Sequence, residues 1–345
     1  MATHVGTAIT GSRFVRVAAR SQRHGVVAVL LWAGALIAVT IDDDPATSPA
    51  GELALPPDYG IDDVPIIMQD KSFRSDGQFD ERDQVLSNTG QFGDTIVVKG
   101  TVNPFLQVTT QRVRLRLLNA SNALICNFGF DDEREFAVIG TDGGLSAKPL
   151  ELRRIQLSPG ERAEIVVTIS PGQRTVLRSF APHVGAGFLA NRLAGGDDPF
   201  DVLEVRAAQD LEPSGPMPDQ LVDPDPDPDP SAAVTTRTFW LGDSEINGRT
   251  MDLSRVDLAV TAGTSENWPV TNSDGSPHSF HVHDVQFRIL DQDANAPPPE
   301  LSGRRARSTL RREPLSGCCC RSATSPIRSG PACFTATCCV TRTRE

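Results

Sequence analysis

The chain has 345 residues and a formal net charge of −11. That charge excludes a general binder of nucleic acid or of anionic membranes, because such partners need a basic face. An apolar content of 39 % and a charged content of 22 % are values of globular proteins, and the length has room for two or three domains. The composition therefore predicts a folded protein with a sizeable core and does not indicate an activity.

Residues 1–54 contain one apolar run, at 26–39, with several arginines upstream. The run is shorter than the about 18–20 residues that cross a bilayer, so no transmembrane segment is predicted. Two interpretations stay open. The run is the apolar part of a signal-like segment, or residues 35–40 form a strand that ends a first domain of which little else remains. The acidic residues 42–44 resemble a strand exit and favour the second interpretation.

Residues 55–207 predict a β-sandwich, because short apolar runs alternate with turn sequences. Residues 113–117 alternate apolar and polar side chains, the pattern of a half-buried strand. Ser158–Glu161 reads as a turn between two strands. No long amphipathic helix is predicted. The other predicted strands of this domain are 64–68, 94–98, 155–157 and 163–167.

Three segments follow this domain. Residues 208–232 contain a repeated Asp-Pro sequence that cannot form a core, so they predict an exposed linker. Residues 233–303 predict a partial second sandwich, with strands at 238–241, 256–260 and 287–290. Residues 304–345 are rich in arginine and cysteine and predict an unstructured tail. Its cysteines are Cys318, Cys319, Cys320, Cys333, Cys338 and Cys339, whose spacing is typical of neither a zinc site nor a disulfide framework.

Three of the six histidines lie close together, at His278, His281 and His283. In a strand, His281 and His283 project from one face, and a flanking bend frees His278 to point elsewhere. Imidazole is a good copper ligand, and an HxH pair on a strand supplies donors to two neighbouring metal ions. The alternative is that these are ordinary surface or core histidines; the third histidine favours a metal site. The isolated residues His4, His24 and His183 are interpreted as incidental or structural.

Several motifs together resemble the multicopper oxidases, the group of laccases, bilirubin oxidases and CueO-like enzymes. Residues 278–287 resemble the third copper-binding motif of that family. Residues 114–123, 139–144 and 158–164 are similar to its second domain, and residues 246–257 to the start of its third. The resemblance covers about residues 55–300. It implies an all-β fold of tandem cupredoxin-like (plastocyanin-like) Greek-key sandwiches, the last one incomplete.

The resemblance also implies roles for the histidines. His278 would bind the type 1 copper, His281 the type 2 copper and His283 a type 3 copper. The implied reaction partners are dioxygen and a small-molecule or metal-ion reductant, and the implied location is the periplasm or the cell exterior. No catalytic side chain is assigned.

Most of the implied copper ligands are missing from this sequence. A type 1 copper needs a cysteine thiolate and a second histidine, and the family motif HCHxxxH does not occur. A one-base regrouping of the codons for residues 334–341 permits that motif. We therefore expect a chain that is incomplete at its N-terminus and shifted in reading frame from near Gly303.

Three functions follow from these observations. The first is an oxidoreductase of the multicopper type, inactive in this chain as written, whose parent oxidises phenolic or organic compounds or a metal ion and reduces dioxygen to water. The second is a non-catalytic cupredoxin-fold protein used for binding or as a scaffold. The third is a non-functional fragment whose last domain lacks its closing strands and exposes strand edges.

Overall fold

The computed structural model describes residues 53–80, 90–185, 199–224, 229–242, 245–250, 252, 255, 257–258, 260–261, 264–273, 277–282, 285–310 and 315–322. Their regular structure consists of β-strands and two short 3₁₀ helices, Pro230–Ala232 and Pro299–Leu301. In this part of the chain no helix is long and apolar enough to cross a membrane. The strands are β1 Asp63–Lys71, β2 Thr95–Val98, β3 Thr101–Val102, β4 Phe105–Thr110, β5 Arg112–Asn119, β6 Cys126–Phe130, β7 Phe136–Thr141, β8 Gly144–Leu152, β9 Ile155–Leu157, β10 Arg162–Thr168, β11 Arg174–Phe180, β12 Phe200–Glu212, β13 Thr235–Thr236, β14 Phe239–Gly242, β15 Glu245–Ile246, β16 Ser265–Asn272, β17 His278–His281, β18 Val285–Ile289, β19 Arg307–Leu310 and β20 Leu315–Ser322.

Strands β1 to β12 form a first sandwich of two sheets. The larger sheet has the order β3-β2-β1-β5-β10-β7-β8, and the smaller one β4-β12-β11-β6-β9. Apolar side chains from both sheets meet in one core, in which Leu115, Phe128 and Leu177 are fully buried. This core is the main stabilising element of the first sandwich, since removing apolar surface from water is the dominant favourable term in folding.

Strand β5 lies in the middle of the larger sheet and is buried along almost its whole length. Its alternation sends Leu115 and Leu117 into the core and Arg114 and Arg116 to the opposite face. The arginines are nevertheless buried, because carboxylates of neighbouring strands pair with them. The period-two pattern at 113–117 thus marks a strand that is covered on both faces.

Strands β13 to β20 form a second, smaller sandwich. One sheet has the order β15-β14-β16-β20-β18, with β13 also paired to β16, and the other consists of β17 and β19 alone. A separate aromatic core joins the two sheets. The ring of Phe280 lies 6.0 Å from that of Phe287 and 6.2 Å from that of Phe239, and Trp268 packs against the same group.

The all-β prediction is confirmed, and most predicted strands are present with small shifts of their ends. The turn at Ser158–Glu161 is present too, where the Glu161 amide donates to the Ser158 carbonyl over 2.9 Å and Gly160 adopts a φ of +83°. The strand predicted at 256–260 is wrong for its described residues 257, 258 and 260, which lie outside any strand.

The prediction of an exposed linker at 208–232 is wrong at two places. Strand β12 continues to Glu212, and Leu221 is fully buried. The Leu221 amide donates to the Ala147 carbonyl over 2.9 Å, and its side chain packs with Leu55 and Ile139 on the outer face of the larger sheet. Met217 packs against the same group, and the Arg112 amide donates to the Ser214 hydroxyl over 3.0 Å, so this segment is attached to the first sandwich at several points.

The prediction of an unstructured tail is wrong for its first part. Strand β19 pairs with β17, and β20 pairs with both β16 and β18. The physical reason is an alternation of side chains in β19, where Ser308 and Leu310 are buried on one face and Arg307 and Thr309 are half-buried on the other. Residues 323–345 lie outside the described residues, and the domain boundaries given by the sequence stay predictions.

Candidate functional site

The predicted metal motif lies on strand β17 and its continuation. β17 runs antiparallel to β19, with His278 opposite Leu310 and His281 opposite Arg307. His278 is buried together with Phe280, whereas His281 is half-buried on the other face. The two histidines therefore point to opposite sides of the strand.

The ring of His281 is held by the backbone of the neighbouring segment. Its Nδ1 lies 2.6 Å from the carbonyl oxygen of Ala306. A carbonyl oxygen only accepts, so the hydrogen bond places the ring proton on Nδ1 and leaves the lone pair on Nε2. Histidines that bind metals are commonly oriented in this way by a carbonyl group. His281 is thus prepared as a single nitrogen donor.

The rest of a copper centre is not assembled by the described residues. In that part of the chain no three histidine, cysteine or acidic side chains converge to hold a metal ion. Cys126 is a free thiol in the first core, where burial raises its pKa well above the ordinary value. His283 lies outside the described residues, so its predicted role and those of His278 and His281 stay predictions. The described residues do not fit a complete copper centre.

A buried polar cluster beside the motif was not predicted from the sequence. We call it the docking cluster and define it as Asp142, Ser158, Glu161, Arg305 and Thr309. Arg305 Nη1 lies 3.3 Å from Glu161 Oε1, and the Thr309 hydroxyl donates to Glu161 Oε2 over 3.4 Å. The Ser158 amide donates to the same oxygen over 2.6 Å. The cluster joins the turn before β10 to the start of β19, and hence the first sandwich to the second.

Close backbone contacts surround the docking cluster. The Thr141 hydroxyl donates to the Arg304 carbonyl over 2.8 Å, and the side-chain amide of Gln286 donates to the Gly143 carbonyl over 3.1 Å. A Cβ at Gly143 would collide with the Arg304 carbonyl. Glycine is therefore required there by the close approach of two backbones. The Gly143-Gly144 pair is the sequence signal for a close backbone contact. The sequence motif does not indicate that Arg304 is the residue in contact.

Two family models, each described as multicopper oxidase, match residues 66–180 and 222–314. The first match lies within the first sandwich, and the second begins in the segment between the sandwiches and includes the histidine strand. The chain belongs to the multicopper oxidase family, whose cofactor is copper.

The relatives that match in sequence include cell division proteins. The chain is 36 % identical over 260 residues to the cell division protein FtsP of Photorhabdus laumondii, covering 73 % of this chain and 53 % of the relative. It is 33 % identical over 257 residues to FtsP of Escherichia coli, with the same coverage of each chain. The chain thus spans about half the length of the named relatives it matches.

Solved structures of oxidases share the fold. A laccase-like multicopper oxidase CueO from Ochrobactrum superposes with a TM-score of 0.68 at 28 % identity, covering 77 % of this chain and 61 % of that one. A variant of McoA from Aquifex aeolicus gives 0.69 at 27 % identity, covering 79 % and 62 %. This chain is therefore similar in sequence to division proteins and in fold to oxidases.

Proposed function

We propose that this chain is a non-catalytic member of the multicopper oxidase family that binds other proteins of the cell envelope during cell division. The observation that carries the proposal is the incomplete metal motif. One histidine faces each side of β17, and among the described residues neither joins a group of three metal-binding side chains. Without a Cys–His pair for a type 1 copper, electrons have no point of entry. The FtsP relatives, which are named as cell division proteins, suggest the process.

Exposed aromatic side chains on the first sandwich support a binding role. Phe73 and Phe79 are 40 % and 54 % exposed, and their rings lie 5.4 Å apart. Phe105 is 56 % exposed near the start of the smaller sheet. Aromatic residues are enriched in protein interfaces, where they provide much of the binding energy. The Phe73–Phe79 pair is our candidate contact.

The test is complementation of an Escherichia coli strain that lacks its own FtsP, with cell length as the readout. The wild-type chain, exported by an added signal peptide, should restore normal length. The double variant His278→Ala, His281→Ala should restore it as well, because no metal chemistry is required. Phe73→Ser, Phe79→Ser should fail, although its amount in the cell is unchanged.

Two results would refute the proposal. One is a wild-type chain that leaves cells as long as the empty vector does. The other is a histidine variant that fails while the aromatic variant succeeds. Oxygen uptake by the purified chain with copper and hydroquinone provides an independent check, and the expected rate equals that of the protein-free control.

The orientation of His281 favours a second candidate, an oxidase in a longer protein of which this chain is part. With Nδ1 held by the Ala306 carbonyl, Nε2 is the ring nitrogen that would bind a copper ion. If the chain contributes that ligand, titration with Cu(II) should give an electron paramagnetic resonance spectrum with nitrogen couplings that disappear in His281→Ala. A spectrum unchanged by the substitution removes this candidate.

A further inference from the structure

The docking cluster contains an acidic side chain in an unusual position. Asp142 follows strand β7 and is 4 % exposed. Its Oδ1 accepts from the Arg162 amide over 2.9 Å, while Oδ2 is buried and has no hydrogen-bond partner among the described residues. Leaving a buried carboxylate oxygen unpaired costs free energy, and a proton on that oxygen removes most of the cost.

The charges around Asp142 come from both sandwiches. Glu161 and Arg162 lie at the start of β10, and Arg305 comes from the segment before β19. Arg305 and Glu161 already pair with each other, at 4 % and 2 % side-chain exposure. The Arg162 guanidinium lies 3.5 Å from Asp142 Oδ1 and is the only cation within ion-pair distance of this carboxylate in the described part of the chain. Asp142 is therefore a second, poorly compensated acid at a contact that already holds one.

We propose that the docking cluster is an acid-tightened latch, which holds β19 and the histidine strand β17 against the first sandwich more firmly in mildly acidic than in alkaline solution. When Arg304–Thr309 leave the first sandwich, Asp142 becomes solvated. Its ionised form is then as stable as in an unfolded chain. When they dock, the ionised form loses that water. The latch goes beyond the proposed function, since it operates whether the chain binds proteins or metal.

The direction of the pH effect follows from the burial of Asp142. Burial raises the pKa of Asp142 to about 6; the Arg162 cation opposes the rise and the Glu161 anion adds to it, while Arg305 lowers it again. Since the docked pKa lies above the ordinary value of 3.8, the proton favours docking. The gain is complete below the ordinary value and is lost as the pH rises through about 6. Between pH 8 and pH 5 it amounts to about tenfold in the docking equilibrium, one decade for each unit below the docked value.

Amide hydrogen exchange of the whole chain, at pH 5 and pH 8, tests this inference. Exchange rates of residues 305–310 are divided by the intrinsic rate at each pH. We expect about tenfold greater protection at pH 5. Strand β5, in the core of the first sandwich, serves as the internal reference. Its protection should not show the tenfold difference between pH 5 and pH 8.

Substitutions assign the effect to its source. Asp142→Asn keeps the Oδ1 acceptor and removes the charge, so residues 305–310 should be as protected at pH 8 as the wild type is at pH 5. Glu151→Gln is the matched control, because burial also raises the pKa of this carboxyl on β8, away from the cluster. It should keep the wild-type response.

Arg305→Lys gives a test that does not depend on Asp142. It keeps the charge but loses the planar fork, so protection of residues 305–310 should fall at both pH values while that of β5 stays. The latch is refuted if wild-type residues 305–310 are equally protected at pH 5 and pH 8. It is also refuted if Asp142→Asn responds to pH like the wild type.

Discussion

At the scale of single residues, the first sandwich contains buried arginines that are paired with carboxylates of neighbouring strands. The Arg116 guanidinium binds both carboxylate oxygens of Asp63, at 2.7 and 2.6 Å, and Glu164 lies 3.5 Å from its other nitrogen. Arg114 donates to Glu164 over 2.9 Å. Two arginines and two carboxylates thus cancel on the outer face of β5. A buried charge persists only where such partners surround it.

Removal of one carboxylate tests this compensation. Asp63→Asn leaves the buried Arg116 cation without its bidentate carboxylate partner, and we expect a loss of about 3 kcal/mol in the free energy of unfolding. Urea denaturation measures it. Glu135→Gln is the control, because its pair with Arg153 is more than half exposed on both sides, and the change should stay within about 0.5 kcal/mol. Equal losses in the two variants would show that the buried pair is not a stabilising element.

At the scale of elements, strands were predictable where apolar residues alternate with polar ones and unpredictable where burial depends on distant contacts. Apolar and polar residues alternate within the sequences of β5 and β10, so both strands could be predicted from their local sequence. β19 contains one apolar residue, Leu310, and its burial depends on pairing with β17. Residues 256–260 alternate as a strand does, but alternation alone provides no partner strand.

The segment between the two sandwiches gives a prediction at this scale. Leu221→Ala should lower the free energy of unfolding by about 2–4 kcal/mol, because it empties a fully buried site against Leu55 and Ile139. Val234→Ala, at a position that is 62 % exposed, should change it by less than about 0.5 kcal/mol. Both are read from urea denaturation followed by circular dichroism. If Leu221→Ala is as harmless as the control, the segment is the simple linker that its composition suggests.

At the scale of the whole molecule, the sequence predicted the histidine motif of the candidate site but not the contacts around it. The spacing of His278, His281 and His283 indicated a metal motif from the sequence alone. The contact of His281 with Ala306 and the pairing of Glu161 with Arg305 could not be read, because residues far apart in sequence meet there only after both sandwiches have formed. The two cores share no residue, and the docking cluster is one of the polar contacts that connect the sandwiches.

That arrangement predicts how the molecule unfolds when the cluster is broken. Arg305→Met leaves Glu161 buried without its cation, at a cost of about 3 kcal/mol that falls on the contact between the sandwiches. Trp240 and Trp268 lie in the second sandwich, so fluorescence in a Trp32→Phe background follows it alone, whereas circular dichroism follows all strands. In the wild type both signals should change together in urea, as one cooperative unit. In Arg305→Met the fluorescence midpoint should fall about 1 M below that of circular dichroism, since a loss of this size divided by an ordinary urea slope gives that shift.

Arg153→Met, which removes an exposed cation, should leave the two midpoints together. Coincident midpoints in Arg305→Met would mean that some other contact couples the sandwiches.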